Sequence, residues 1–125
     1  MIVVVSGPAG AGKTTLAHAL AERIGCPAVC RDEIKEGMVH ASPGYGPADN
    51  DAFNRRVFPV FFDVLGVLLR AGVSVLAEAA YQDRLWRPGL AGLAGLAEVR
   101  IVRCAVDRTV ARDRVVRRAA ENGTR

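Results

Sequence analysis

Gly7, Pro8, Ala9, Gly10, Ala11, Gly12, Lys13 and Thr14 follow one another in the pattern GxxxxGK[ST]. Glycines at these positions allow backbone geometries that a side chain would forbid. Successive N–H groups, those of Gly10, Ala11 and Gly12 among them, can then converge on phosphate oxygens at a helix N-terminus. Lys13 is spaced to reach the β and γ phosphates of a nucleoside triphosphate, and the Thr14 hydroxyl to coordinate Mg²⁺. Thr15 is placed to add a phosphate contact. At average residue frequencies the pattern arises by chance in roughly one chain of this length in several hundred. Its setting therefore matters: it lies between an apolar β-branched run, Ile2 to Val5, and an amphipathic stretch in which Leu16, Leu20 and Ile24 recur every four residues. A buried strand, a glycine loop and a helix is the context that phosphate binding requires, and the expected ligand is ATP with Mg²⁺.

Several polar residues follow other strand candidates, where ligands meet the sheet of an open α/β fold. Val73 to Ala77 reads as a strand finishing at Glu78, which is then placed to hold Mg²⁺ or its waters opposite Thr14, or else is a surface carboxylate at a strand end. Asp32 follows the short apolar run Ala28 to Cys30. It either caps a helix or accepts the proton of an acceptor hydroxyl. Arg114 and Arg118 lie four apart on one helical face, suited to neutralising a transferring phosphoryl group or simply solvated. Lys35 and Arg84 are candidate acceptor contacts, whereas His18 and His40 read as non-catalytic, His18 falling within the first helix without a visible partner.

The elements that must position these residues alternate. Gly25 and Pro27 stop the first helix. Asp32 opens a second in which Ile34 and Met38 share a face, and Ser42 to Pro47 must be a loop. From Asp49 to about Arg70 a helix carries Phe53, Val57, Phe61, Val64 and Leu68 on one stripe, with a kink expected at Pro59 and an end at Gly72. Asp83 to Leu96 reads as a helix, Val99 to Val106 as a fourth strand, and Asp107 as the cap of a last helix. Strands alternating with helices imply a mostly parallel sheet covered on both faces.

Composition bounds the rest. The 125 residues, half of them hydrophobic, make one domain with a modest core. The formal charge of +4 is concentrated: Arg100 to Arg125 holds eight arginines against three acids, a basic tail suited to nucleic acid, to ligand phosphates or to solvent. Cys26, Cys30 and Cys104 form neither an even disulfide framework nor a paired zinc pattern, and read as reduced core thiols. Met1 to Ser6 lacks a basic leader and a cleavage site, so a cytoplasmic protein is expected. The apolar run Val57 to Leu69 contains Pro59 and Asp63 and falls short of the roughly twenty residues of a spanning helix.

Taken in order, GPAGAGKTT, RDEIKEGM, an apolar strand ending in Glu78 and an arginine-rich helix resemble small P-loop kinases of the polynucleotide-kinase-like and zeta-toxin-like kind, often labelled AAA-family ATP-binding proteins. The resemblance implies a three-layer P-loop NTPase sandwich with sheet order 2-3-1-4 and a catalytic base at Asp32, preceded by Arg31. Arg114 and Arg118 would be its lid arginines. Such kinases continue through a lid into a fifth strand, so the chain is expected to lack that strand and part of the lid. Glu78 stands where the polynucleotide kinases carry Asp. The expected activity is transfer of the γ-phosphoryl group of ATP to a hydroxyl on a small molecule or a polynucleotide 5′ end. A nucleotide-driven switch and a non-catalytic ATP-binding fragment are the competing readings. The sequence has no NKxD base-reading motif of a common GTPase.

Overall fold

The computed structural model describes residues 1–8, 12–80 and 83–104. The element order is β1 (Ile2–Gly7), α1 (Lys13–Ile24), β2 (Ala28–Cys30), α2 (Arg31–His40), a short 3-10 turn (Pro47–Asp49), α3 (Asn50–Arg70), β3 (Val75–Ala80), α4 (Asp83–Leu93) and β4 (Val99–Arg103). The four strands are parallel and ordered β2-β3-β1-β4, as expected, with β4 at an edge of the described sheet. The sheet and the helices packed on its two faces make a three-layer α/β sandwich with P-loop NTPase topology.

Strand alternation divides the core in two. Ile2 and Val4 of β1 and Val75, Ala77 and Ala79 of β3 pack with Phe61, Leu65 and Leu69 of α3 and Leu93 of α4. Val3, Val5, Leu76 and Cys30 face the other way, onto Ala17 and Ala21 of α1. The register pairs Val5 with Glu78 and Glu78 with Cys30, so Glu78 projects from the sheet on the α1 face.

The expected stripes hold in part: Phe53, Val57 and Phe61 of α3 are buried as expected, and Leu68 of α3 and Leu20 of α1 pack at the margins of the core. In α1 the buried positions are Lys13, Ala17 and Ala21, while Leu16 and Ile24 are exposed. Small side chains let the helix backbone approach the sheet closely, and the leucine ladder is pushed to the flank. In α3 the buried ladder runs Phe53, Val57, Phe61, Leu65 and Leu69, and Val64 is exposed. A strict four-residue step advances about 40° per repeat, so this ladder winds around the helix. Phe53 meets Tyr45 edge-on with ring centroids 4.9 Å apart, while the lower rungs meet the sheet. Pro59 lies within α3, which runs unbroken from Asn50 to Arg70.

Other boundaries shift modestly. α4 ends at Leu93 rather than Leu96, and β3 starts two residues later than its apolar run and extends to Ala80. The predicted stop at Gly25 is present: the residue is left-handed at φ 83° and donates its N–H to the Ala21 carbonyl. The end of the fourth strand beyond Cys104, the Asp107 cap and the last helix lie outside the described residues.

Candidate functional site

The phosphate loop leaves the sheet at Gly7, whose φ is 153°. A Cβ built there would lie 2.7 Å from the carbonyl oxygen of Cys104. The Cys104 N–H donates to the Ser6 carbonyl at 2.7 Å, so backbone crowds this point and only glycine fits without displacement. Gly12, left-handed at φ 78°, forms the N-cap of α1 without any side-chain cap hydrogen bond. The first-turn N–H groups are thus not taken by a capping side chain, which suits them to an anion. Lys13 is buried, and its Nζ donates to the Pro8 carbonyl at 2.9 Å. Thr14 and Thr15 are exposed in the first turn of α1, and Gly10 and Ala11 lie outside the described residues.

Glu78 is not at a strand end. It sits inside β3, only 2% exposed, between Val5 on one side and Cys30 on the other. The β3 ladder continues through Ala79 and Ala80, whose small side chains permit pairing beyond the apolar run that marked the strand. Burial pushes the Glu78 carboxyl above its ordinary value of 4.5, the charges of Asp32 and Glu33 add to this, and Lys13 and a hydrogen bond with Cys30 oppose it. Its Oε2 is buried with no hydrogen-bond partner among the described residues. An orphaned carboxylate oxygen in an anionic setting beside Lys13 has the chemistry expected of a group that holds Mg²⁺ or its waters, with the Thr14 hydroxyl as companion.

Asp32 occupies the second position of α2, behind the N-cap Cys30, so it is a first-turn acid and not the cap. Its carboxylate is largely exposed and accepts from Arg31 Nη1 at 2.8 Å. The Arg31 side chain is itself held: Nη2 donates to Asn54 Oδ1 at 2.9 Å, and the guanidinium lies 5.1 Å from the centroid of the Phe58 ring. Lys35, one turn along α2, donates to Asn50 Oδ1 at 2.6 Å, and Tyr45 donates to the same oxygen at 3.2 Å. Arg31 and Lys35 on α2 thus face Asn54 and Asn50 on α3. Arg84 falls in the first turn of α4. Arg114 and Arg118 lie outside the described residues.

One group has no counterpart in the sequence reading. His18 Nε2 and Glu33 Oε1 are 2.5 Å apart, and Cys30 Sγ is 3.7 Å from the same nitrogen. Burial, together with hydrogen bonds and charge from Glu33 and Glu78, pushes the Cys30 thiol well above its ordinary value. Its hydrogen bonds with Cys30 and His18 hold the Glu33 carboxyl below the usual carboxylate range. Partners separated by 12 and 15 residues leave no local signature. Only the sheet register and the seating of α1 on it bring them together.

The sheet order, the glycine loop between β1 and α1, and the charged groups gathered above the carboxyl ends of the strands define a protein of the P-loop NTPase fold with a kinase-like arrangement. The chain belongs to the AAA domain family, whose pattern it matches over residues 2–125. An uncharacterized protein of Mycobacterium tuberculosis is 30% identical over 132 residues, covering 97% of this chain and 26% of that protein. The chain thus spans about a quarter of the length of the curated relatives it matches. Among solved structures, a protein from Chloroflexus aurantiacus provisionally assigned as a kinase superposes with a TM-score of 0.88 at 23% identity, over 98% of this chain and 68% of that one. A sugar kinase from Janibacter superposes with a TM-score of 0.64 at 24% identity, over 92% of this chain and 65% of that one. At these identities the likeness is one of fold. No described helix is long and apolar enough to cross a membrane.

Proposed function

We propose that the protein is an ATP-dependent phosphotransferase that passes the γ-phosphoryl group to a hydroxyl of a small molecule or a polynucleotide end. The observation that supports this reading is one of placement. Lys13 opens α1, the helix that follows β1, buried Glu78 lies in β3 between Val5 and Cys30, and exposed Asp32 is the second residue of α2 directly after β2. A cation, a buried acid and an exposed acid that follow or lie within neighbouring parallel strands are a combination phosphoryl transfer uses.

In this mechanism the loop N–H groups and Lys13 hold the triphosphate, Lys13 exchanging the Pro8 carbonyl for phosphate oxygens. Thr14 and Glu78 are the residues that would hold Mg²⁺, which when bound supplies charge neutralisation on the β and γ phosphates. Asp32 takes the acceptor proton as the hydroxyl oxygen attacks the γ-phosphorus, the bond from that phosphorus to the β,γ-bridging oxygen breaks, and ADP leaves; Arg31 keeps the Asp32 carboxylate aimed. Lys35 and Arg84 flank the acceptor, and Arg114 and Arg118 neutralise the moving phosphoryl group. The fold of the sugar kinase from Janibacter makes sugars a first acceptor class to try.

Lys13→Ala tests the ATP half of this reading. Equilibrium titration with Mg·ATP should show tight binding by the wild type and a loss of at least about tenfold in the variant, as expected when a charge-assisted contact of about 1.5–3 kcal/mol is removed. Unchanged affinity and turnover in Lys13→Ala would overturn the assignment of the loop.

A further inference from the structure

His18, Cys30 and Glu33 come from three different elements: an exposed position of α1, the last residue of β2 and the first turn of α2. Each offers one donor atom, a nitrogen, a sulfur and an oxygen, and the three atoms lie within 4.8 Å of one another. Four-coordinate zinc, with bonds of about 2.0–2.3 Å, places its sulfur and nitrogen ligands about 3.5 Å apart. The Cys30 Sγ to His18 Nε2 separation of 3.7 Å is close to that edge. The His18 to Glu33 separation of 2.5 Å is a hydrogen-bond length, shorter than a ligand–ligand edge of about 3.4 Å. Glu33 is half exposed, so its carboxylate can withdraw by the required ångström without disturbing the core.

We propose that His18, Cys30 and Glu33 form a binding site for one borderline-soft divalent cation of the zinc class, with a fourth position open to water. The donor set decides the class: imidazole and thiolate select zinc or cobalt over magnesium, which prefers an all-oxygen shell. On binding, the Sγ–H bond breaks, its proton passes to solvent and the sulfur–metal bond forms. A second observation supports the site. Glu78, 98% buried by its 2% exposure, contacts Cys30 from the neighbouring strand and has one oxygen with no hydrogen-bond partner among the described residues. It is placed to orient the sulfur, as carboxylates beside metal ligands commonly do. A cation here would tie α1, which carries the phosphate loop, to the turn of α2 that carries Asp32. The site stands whether or not the phosphotransferase reading holds, because its donors are outside the loop and its readout is metal binding.

The test uses the chelator-stripped protein in excess Mg²⁺, titrated with ZnCl₂ by equilibrium dialysis and with CoCl₂ by absorption. The expected result is one zinc per chain and, with cobalt, a near-ultraviolet thiolate-to-metal charge-transfer band. Cys30→Ser should abolish that band, and both Cys30→Ser and His18→Gln should lower zinc affinity at least about tenfold. Cys26→Ser should leave both unchanged. Absence of stoichiometric zinc binding in the wild type, or a charge-transfer band that survives in Cys30→Ser, would overturn the site. Should Cys30→Ser fail to fold, His18→Gln at an exposed position decides, and retained zinc affinity there would overturn it equally.

Discussion

Asp32→Asn is expected to lower acceptor phosphorylation by roughly 10² to 10⁴-fold, the usual worth of a general base, while ATP affinity stays near wild type. In the proposed mechanism the two halves separate because the loop and the start of α1 would hold the triphosphate, whereas Asp32 belongs to α2. The alternative of a helix cap predicts almost no effect, since Asn caps as well as Asp. Cys30 occupies the cap of α2, so the substitution removes a first-turn charge and turns an exposed ion pair with Arg31 into a neutral contact, each a change of at most about 1 kcal/mol in stability. Steady-state turnover with a true acceptor, set against ATP titration of the same samples, makes the check. Wild-type turnover in Asp32→Asn would reject the base, and parallel loss of ATP binding would show that the residue acts through the loop.

Glu78→Gln should have opposite effects on stability and on activity. The carboxyl is raised above 4.5 chiefly by burial, so the folded state holds its proton more tightly than the unfolded chain does. The stability this contributes is fully present below 4.5 and is lost as pH rises through the raised folded value. A neutral amide removes that dependence. Thermal melts without divalent cations should therefore show the variant gaining on the wild type as pH increases from about 4.5 to 8, with the difference fading at the acid end. Turnover should move the other way. Mg²⁺ dependence should shift to concentrations about 10–100-fold higher, the usual effect of losing a group that orients a metal's ligands. Equal melting curves across this range would contradict the burial account, and an unchanged Mg²⁺ profile would contradict the metal role.

The legible and illegible parts of the molecule divide along physical lines. The glycine loop was readable because its backbone requirements are local: Gly7 and Gly12 have positive φ, and no residue with a Cβ replaces them without strain. The stop at Gly25 was readable for the same reason. The strand order came from the resemblance to small kinases and is the order observed. Buried faces are only partly legible from hydrophobicity: Phe53, Val57 and Phe61 are buried and Leu20 packs at the core margin, but Leu16 and Val64 are exposed, because close contact between α1 and the sheet is made by the small Ala17 and Ala21. Glu78 reads as a strand-end residue because the apolar run stops at Ala77, while the hydrogen-bonded ladder continues two residues past Glu78, to Ala80. His18 had no visible role, since Glu33 and Cys30 reach it through tertiary packing. Arg114 and Arg118 lie outside the described residues, and their assignment to the transferring phosphoryl group rests on spacing and resemblance.

Whether the bound triphosphate is handed to a hydroxyl, and not hydrolysed or merely held, is the claim on which the account turns. ADP release measured with Mg·ATP against sugars, antibiotics, nucleosides and 5′-hydroxyl oligonucleotides, with γ-labelled phosphate followed into the product, addresses it directly. The account predicts slow release with ATP alone, and with one acceptor class a stimulation matched by label in the acceptor and abolished by Lys13→Ala. Release that no acceptor stimulates, with all label recovered as free phosphate, would contradict it in favour of a nucleotide-driven switch. Tight ATP binding with no release under any condition would contradict it in favour of a binding fragment.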